Sequence, residues 1–363
     1  MIVSPEILNN DSRFEDLWGT KRFVDNLINL VLDEAHVVKE WGGTFRSDYL
    51  KIGPVQYLLT RKPPVGLHLG TATLPPSRIA EIMSNLHLRV DNTTIFRLST
   101  DRPNIFLSVH KMQFPVNSFQ DLAFMISKHT SNGKIPPKFL VFFNSRAEAQ
   151  LGADFLRQRL PPELRDKVKW FHSGMTDEFR ETEMHALLVG EVYGHAATDA
   201  AGMVRISFYL IFSLFSILLV SQGIDIPDVT LVVQYRVPRE LSTWIQRAGR
   251  AARNPDLSAT AVLIAEPTFF DEEREAAAQR AADRNAKKRQ AEGQLQPSSS
   301  RRPGSSATNA QSRVEITEQS DPGSFEELRC KKAMDDFINA GRRAEKCRHE
   351  VVNIHFGNNG LCE

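Results

Sequence analysis

Short apolar runs alternate with amphipathic stretches along most of the chain. The runs with the length and bounds of buried strands are Ile28–Leu32, Gly66–Gly70, Phe139–Phe143, Thr230–Gln234 and Ala259–Ile264. Apolar residues recur at helical spacing in Ala147–Leu160 and Asp177–Leu188, and Thr73 followed by prolines predicts a helix over Leu74–Leu86. Because strands that alternate with helices form parallel sheets covered on both faces, the pattern predicts an α/β fold.

The alternation breaks at Asp101-Arg102-Pro103-Asn104, and we place a domain boundary there. Residues 1–103 then form one α/β unit, and residues 104–270 form a second unit with the same alternation. The division predicts two parallel sheets in one chain, in agreement with the two to three domains expected for 363 residues.

Beyond residue 270 the composition changes. The stretch from Asp271 to about Gln290 is rich in Ala, Arg and Glu, which predicts an exposed helix. A stretch rich in Ser, Pro, Gly and Gln follows and is too polar to form a core, so residues 271–324 are interpreted as a basic helix and a disordered linker. Lys287-Lys288-Arg289 fits either a nuclear-localisation patch or a solvated helix face, and the second is favoured. A helical pattern returns over 325–363.

Composition limits the classes of function. The formal net charge is +1, so a nucleic-acid site must be local rather than a property of the whole surface. Cys330, Cys347 and Cys362 are too few for a disulfide framework, which indicates an intracellular protein. The first residues, MIVSPEILNN, lack the pattern of a signal peptide and are expected to come from the interior of a domain.

Two adjacent carboxylates directly follow the first predicted strand, in the sequence LVLDEAHVVKEW. Asp33 would lie at the carboxyl edge of a parallel sheet, where nucleotides bind, and its oxygens suit a hydrated Mg²⁺. Glu34 would orient and deprotonate the water that attacks the γ-phosphate of ATP. For these residues alone, a solvated acidic turn is the alternative interpretation.

Two later motifs favour the nucleotide interpretation. Gly70–Leu74, GTATL, places small hydroxyl residues at the end of a strand, and Gln246–Arg253 reads QRAGRAAR. The spacing of Arg250 and Arg253 predicts both guanidinium groups on one helix face, from which they can reach nucleotide phosphates in a neighbouring domain. An ordinary basic helix is the alternative for QRAGRAAR alone, but the three motifs in this order favour a nucleotide-driven motor.

Together these motifs resemble superfamily 2 helicases, and their flanks resemble the RecQ family. The matching segments are VSPEIL (Val3–Leu8), DEAHVVKEWGGTFRSDY from Asp33, STDRPNI (Ser99–Ile105), VFFNSRAEA (Val141–Ala149), FHSGMT (Phe171–Thr176), ATDAAGM (Ala197–Met203) and GIDIPDV (Gly223–Val229). The resemblance implies two RecA-like parallel-sheet domains, the first one incomplete, followed by the disordered linker and a partial helical zinc-binding region.

The resemblance also implies roles for individual residues, with ATP and Mg²⁺ as cofactors and DNA as partner. Asp33 would bind Mg²⁺, Glu34 would be the general base, and Arg250 and Arg253 would be arginine fingers. The other residues expected to bind the nucleotide or to couple it to domain closure are His36, Gly223, Asp225 and Gln246. The residues expected to contact single-stranded DNA or duplex junctions are Trp41, Phe45, Arg46, His172, Ser173 and Thr198. Core packing is the alternative for the two aromatic residues. Ala252 stands where the family has glycine, a change that a helix would tolerate.

The phosphate-binding sequence G-x-x-x-x-G-K-[ST] does not occur in the chain. Gly42-Gly43-Thr44 contains the nearest glycine pair and lacks the lysine. In the family this loop precedes VSPEIL, so Met1 is expected to be an internal start. Without the loop and its lysine the β- and γ-phosphates lose most of their contacts. We therefore expect this polypeptide alone neither to bind ATP tightly nor to hydrolyse it.

A second departure is the segment Val204–Gln222, which separates ATDAAGM from GIDIPDV. Removing it restores the uninterrupted family motif ATDAAGMGIDIPDV. A transmembrane helix needs about 20 apolar residues, whereas Ile206–Val220 is shorter and contains serines, so no membrane is expected as a partner. The favoured hypothesis is a retained intron, because valine codons begin with GT, Gln222 can be encoded by CAG, and pyrimidine-rich introns translate into Phe, Leu, Ile and Ser.

The last residues, KCRHEVVNIHFGNNGLCE, resemble the start of the RecQ zinc domain. Cys347 and Cys362 would be two ligands of a Zn²⁺ ion that normally takes four, so zinc should bind weakly if at all. Plain buried cysteines are the alternative. Cys330 is interpreted as a helix-face cysteine.

By resemblance, the parent protein is an ATP-dependent 3′-to-5′ DNA helicase of recombination and repair. The family and the intron hypothesis together imply a nuclear protein. A non-catalytic fragment that binds single-stranded DNA is one alternative, and DNA binding that ignores nucleotide would favour it. A superfamily 2 translocase on RNA is another, although the aromatic-rich loop after DEAH argues against it.

Overall fold

The computed structural model describes residue 3, residues 5–36, residue 52 and residues 65–127, 137–198, 226–293, 322–343 and 347–358. Within these ranges the chain forms a two-stranded sheet and a six-stranded sheet, and the strands of both are parallel. The predicted α/β fold is therefore confirmed. The predicted insert Val204–Gln222 and most of the predicted linker lie outside the described residues.

Within its described residues, the first unit is built around two strands. The elements in chain order are α1 (Pro5–Asn10), α2 (Ser12–Gly19), α3 (Lys21–Asn26), β1 (Asn29–Leu32), β2 (Gly66–Leu69) and α4 (Ile79–Asn85). Leu8, Phe14, Leu32 and Ile82 are buried in its core. The α-helix predicted over Leu74–Leu86 begins later than expected, at Ile79. A 3₁₀ turn over Pro76–Arg78, which starts at the second of the two prolines, precedes it.

The second unit contains six strands in the order β3-β8-β7-β4-β6-β5. The strands are β3 (Ile105–Lys111), β4 (Phe139–Phe142), β5 (Val168–Phe171), β6 (Gly194–Ala197), β7 (Leu231–Tyr235) and β8 (Ala259–Ala265). The helices between them are α5 (Phe124–Ser127), α6 (Arg146–Gln158), α7 (Asp177–Val189) and α8 (Leu241–Ala248). The apolar pattern predicts β4, β7 and β8 but not β3 or β6.

Apolar side chains cover both faces of this sheet. On one face, Leu140 and Phe142 of β4 pack in a cluster with Trp244 of α8. On the other face, Val141 packs in a second cluster with Tyr235. Successive residues of a strand point to opposite faces, so a continuous apolar run such as β4 belongs in the middle of a covered sheet.

The helices that follow β8 in the described part of the chain are α9 (Asp271–Gly293), α10 (Pro322–Asn339) and α11 (Arg348–Phe356). Phe337 of α10 and Phe356 of α11 join the apolar cluster that covers one face of the six-stranded sheet. Arg343 forms ion pairs with Asp271 (2.8 Å) and Asp335 (2.7 Å), which tie the end of α10 to the start of α9. Among the described residues, no helix is long and apolar enough to cross a membrane.

Candidate nucleotide site and nucleic-acid surface

The DEAH sequence forms a tight loop at the carboxyl end of β1. The N–H of Ala35 donates a hydrogen bond to the carbonyl of Gly70 (2.9 Å), which ties the loop to the end of β2. Glu34 has a φ of 52°, and its N–H donates to Oδ1 of Asp33 (2.9 Å). Non-glycine residues rarely adopt such angles, and strain of this kind clusters at functional sites. Both carboxylates are therefore presented on a fixed loop at the edge of the sheet.

Glu34 is also a point where the two units meet. Nδ1 of His36 lies 3.2 Å from Oε2 of Glu34 and 3.0 Å from Oγ1 of Thr71. From the second unit, Nε2 of Gln246 in the last turn of α8 lies 3.5 Å from Oε1 of Glu34. The hydrogen bond with His36 lowers the pKa of Glu34, burial opposes this, and the charge of Arg250 lowers the pKa further. The carboxylate is therefore ionised at neutral pH, as a proton acceptor must be.

Arg250 and Arg253 do not share a helix face, so that prediction is wrong. Helix α8 ends at Ala248 with Gly249 as its C-cap residue, and both arginines come after the helix. The expectation that Ala252 lies on a helix is also wrong, because its φ is 41°, in the left-handed region.

Residues from the domain boundary impose this turn. The guanidinium of Arg102 donates to the carbonyl of Ala252 (2.7 Å), and Nδ2 of Asn104 donates to the same oxygen (3.0 Å). The N–H of Ala252 donates to the carbonyl of Val229 (2.8 Å). These hydrogen bonds satisfy peptide groups outside a helix, and they therefore hold the backbone between the two arginines in a non-helical turn.

Replacing Ala252 by glycine should leave the free energy of unfolding within about 0.5 kcal/mol of its original value. Loss of the buried methyl group costs about 0.8 kcal/mol and added chain freedom costs about as much, but relief of the left-handed conformation returns about 1–2 kcal/mol. Ala153 is equally buried but helical, so Ala153→Gly is the matched control and should cost about 2 kcal/mol. Urea denaturation of both variants measures the difference, and equal losses would contradict the left-handed assignment.

Arg78 forms a second contact between the units. Its side chain is almost fully buried, and Nη2 donates to both carboxylate oxygens of Glu240 (2.9 Å each) and to Sγ of Cys330 (3.1 Å). Burial opposes the charge, but the neighbouring Glu240 carboxylate more than offsets it and raises the pKa of Arg78. Glu240 is the N-cap residue of α8, so this helix contacts the first unit at its start through Glu240 and at its end through Gln246.

Arg247 is a residue that the sequence reasoning missed. It is 6% exposed, and its Nη1 donates to Oε1 of Gln234 (2.5 Å) and to Oδ1 of Asn144 (3.3 Å). The guanidinium also lies over the ring of Phe142, 5.5 Å from its centroid. Its position could have been predicted from the sequence, because Arg247 lies three residues after Trp244. This spacing puts both side chains on the inward face of α8.

The carboxyl edge of the six-stranded sheet carries a separate polar surface. Nη2 of Arg146, at the start of α6, donates to Oγ of Ser173 (2.8 Å), and both residues are exposed. His172 is mostly buried, and burial together with the charge of Arg146 lowers its pKa. Next to Ser173 the positive charge therefore comes from Arg146 rather than from His172, and Arg146 was quoted in VFFNSRAEA but given no role. Thr198 follows β6 at the same edge and is half-buried.

Several predicted site residues lie outside the described residues, namely Trp41, Phe45, Arg46, Gly223, Asp225 and Cys362. Cys347 is exposed at the N-cap position of α11, whereas Cys330 is buried on α10. In the described part of the chain, no group of three or more His, Cys, Asp or Glu side chains is arranged to hold a metal ion.

Comparisons with known proteins find helicases among those similar to this chain. Residues 119–255 match the family model of the helicase conserved C-terminal domain. The chain is 27% identical over 270 residues to the ATP-dependent DNA helicase RecQ of Pasteurella multocida, covering 74% of this chain and 36% of that protein. It is 28% identical over 247 residues to the mouse bifunctional 3′-5′ exonuclease/ATP-dependent helicase WRN, covering 68% of this chain and 15% of that protein. The chain thus spans about a third of the RecQ protein and less of the mouse protein.

Among solved structures, the fold is similar to that of the DUF1998 helicase MrfA bound to DNA. The TM-score is 0.54 with 17% identity, covering 76% of this chain and 36% of that one. This likeness supports the RecA-like architecture of the sheets. The motif order, the match to the helicase C-terminal domain and these relatives, which share about a quarter of their residues with it, make the chain similar to RecQ helicases over 68–74% of its length.

Proposed function

We propose that this chain is part of an ATP-dependent DNA helicase of the RecQ type, which moves along one strand in the 3′-to-5′ direction. The contact between Gln246 and Glu34 carries the proposal, because it joins α8 of the second unit to the carboxylate loop of the first (3.5 Å). A nucleotide held there would touch both units. Its hydrolysis would therefore change the contacts between the two units. Opening and closing of the units would then move the protein along DNA.

The residues at this contact fit the reaction. Asp33 offers an exposed carboxylate of the kind Mg²⁺ prefers, and the ion would neutralise charge on the phosphates. Glu34 is ionised and partly buried, so it can orient a water molecule and accept its proton. His36 and Gln246 hold that carboxylate from two sides. Arg250 lies close enough to act on its pKa and would stabilise negative charge in the transition state, with Arg253 as the second arginine.

DNA would bind across the carboxyl edge of the six-stranded sheet. Arg146 and Ser173 offer an exposed cation and a hydroxyl for phosphate contacts. Nδ1 of His172 accepts a hydrogen bond from the N–H of Gly174 (3.2 Å), which holds the turn that carries Ser173. Trp41, Phe45 and Arg46 would add stacking and a further phosphate contact. Work in recombination and repair, a nuclear location, and Zn²⁺ held in part by Cys347 and Cys362 complete the proposal.

The purified chain should bind single-stranded DNA but hydrolyse no ATP above background, because the phosphate-cradling glycine and lysine sequence is not among these 363 residues. Fluorescence anisotropy with matched DNA and RNA strands, with and without ATP and Mg²⁺, measures the first property. Phosphate release measures the second.

The outcomes separate the candidate functions. Preference for DNA supports the RecQ assignment, and equal or tighter binding of RNA favours an RNA translocase. Robust ATP hydrolysis stimulated by single-stranded DNA would show that the loop is dispensable. DNA binding that ignores nucleotide is expected for this chain and also fits the runner-up function, a non-catalytic DNA-binding fragment. That candidate is favoured by the surface around Arg146 and Ser173, which is distinct from the carboxylate loop. Strand separation by the gene's longest natural product would then exclude the runner-up.

A further inference from the structure

Helix α9 leaves the body of the second unit. It runs over Asp271–Gly293, 23 residues, so it is about 34 Å long at 1.5 Å per residue. Every residue from Ala282 to Arg289 is exposed. A polar helix that buries so little surface gains little stability from packing against the rest of the protein. Its charged side chains therefore need an explanation other than packing.

The charges on α9 are divided between its two ends. The first turns are acidic and are neutralised by the body of the protein. Asp271 pairs with Arg343 (2.8 Å), and Lys111 pairs with both Glu272 (2.6 Å) and Glu273 (2.8 Å). These pairs fix the start of the helix and offset part of its negative charge.

The second half of α9 is basic and exposed. Arg280, Arg284, Lys287 and Lys288 follow the i, i+4, i+7, i+8 spacing that places side chains on one helical face. We call these four residues the basic face. It extends over about 12 Å of helix, and duplex DNA carries one phosphate per 3.4 Å on each strand, so the face can meet about three to four phosphates.

The chemistry of α9 separates nucleic acid from other anionic partners. Between Asp271 and Gln290 the apolar residues are all alanines. Protein interfaces rely on large buried aromatic anchors such as Trp and Tyr in pockets, and membrane-surface helices need Trp, Phe or Leu on one face. A basic face with only small apolar side chains lacks those anchors and fits a row of phosphates.

The position of α9 agrees with this partner. The helix follows β8, and the six strands are parallel, so it starts at the same carboxyl edge that carries Arg146, Ser173 and Thr198. DNA that binds across this edge has its next segment within reach of a helix that begins there.

We propose that the basic face of α9 is a second DNA-binding surface, which holds the phosphate backbone of the duplex next to the strand bound at the sheet edge. The inference rests on the proposed DNA-binding function. Because the contact is with phosphates, it adds affinity and salt dependence without sequence preference.

The test replaces all four residues of the basic face by glutamine (Arg280→Gln, Arg284→Gln, Lys287→Gln, Lys288→Gln), which preserves helix propensity. Binding of a duplex with a single-stranded tail is measured between 50 and 200 mM salt. The slope of log affinity against log salt should fall by about 3 to 4, and binding of the single strand alone should change less. Replacing the exposed Lys21, Arg22, Arg89 and Arg165 by glutamine removes the same charge elsewhere and should leave the slope nearly unchanged.

The other results overturn the inference in distinguishable ways. Loss of DNA binding by the unaltered chain would refute the proposed function and this inference with it. Normal binding with an unchanged slope in the basic-face variant would show a merely solvated helix. An equal fall in the control variant would show a general charge effect, and binding of polyglutamate as tight as that of DNA would indicate an acidic protein partner.

Discussion

Replacing Glu240 by alanine should lower the free energy of unfolding by about 3 kcal/mol. The substitution leaves the guanidinium of Arg78, whose side chain is 6% exposed, without the carboxylate that it contacts through both oxygens. Removal of one partner from a buried ion pair typically costs about 3–5 kcal/mol, because the remaining charge stays desolvated. The lower end applies here, since the side chain of Glu240 is 19% exposed. Urea denaturation gives the value.

Two further variants identify the cause of that loss. Asp228 pairs with Lys138 (2.9 Å) but is 48% exposed, so Asp228→Ala should cost less than about 1 kcal/mol. The double replacement Arg78→Leu with Glu240→Leu removes both charges and should recover most of the stability lost in Glu240→Ala. A cost for Glu240→Ala as small as that for Asp228→Ala would mean that Arg78 finds water in the folded protein.

The Arg78 contact has a consequence for the nucleotide site. Glu240, which Arg78 binds, is the N-cap residue of α8, and Gln246, which touches Glu34, lies in the last turn of the same helix. From Glu240 to Gln246 is about 9 Å along a helix, so movement at one end is transmitted to the other through a short rigid element. Arg78 therefore helps to set the angle at which α8 presents Gln246 to the carboxylate loop.

The elements found from the sequence are those with a strong local signal. Strand β4 is an unbroken apolar run, and it is buried on both faces of the sheet as that pattern requires. Strand β6, Gly-His-Ala-Ala, has no such signal, because small residues and a histidine carry little apolar surface. It is a strand because it pairs with β4 and β5 on either side. Gly194 is also required there, since a Cβ atom would lie 2.1 Å from the ring of Phe139.

The candidate site shows the same division. The DEAH loop and Gln246 could be proposed from motifs, because the chemistry of those residue types is local. The turn that follows α8 could not be predicted from motifs, because Ala252 is held by Arg102, 150 residues earlier in the chain. Likewise, Arg78 meets Glu240 across 162 residues of sequence. A prediction from helical spacing assumes that the backbone continues as a helix. It fails where hydrogen bonds from a distant segment satisfy the backbone groups instead.

Acidification from pH 7.5 to pH 5 should remove about 2 kcal/mol of stability through His195 alone. This histidine is fully buried on β6, and its ring stacks on Phe171 with centroids 5.2 Å apart. Burial lowers the pKa of His195 to about 3, from an ordinary value of 6.5. Between these values the unfolded chain binds a proton that the folded chain excludes. The stabilisation is therefore complete above pH 6.5 and is lost as the pH falls toward 3.

Unfolding of the unaltered protein and of His195→Leu at both pH values isolates this contribution. The other ionisable groups are common to both proteins, so subtracting the two pH dependences leaves the contribution of His195. His195→Leu should lose about 2 kcal/mol less than the unaltered protein over this range, whereas His110→Leu, at an exposed position of β3, should lose the same amount as the unaltered protein. If the unaltered protein and His195→Leu lost the same amount of stability over this pH range, His195 would accept a proton in the folded state. The sheet would then have to open at that strand, because a buried imidazolium between β4 and β5 has no water to solvate it.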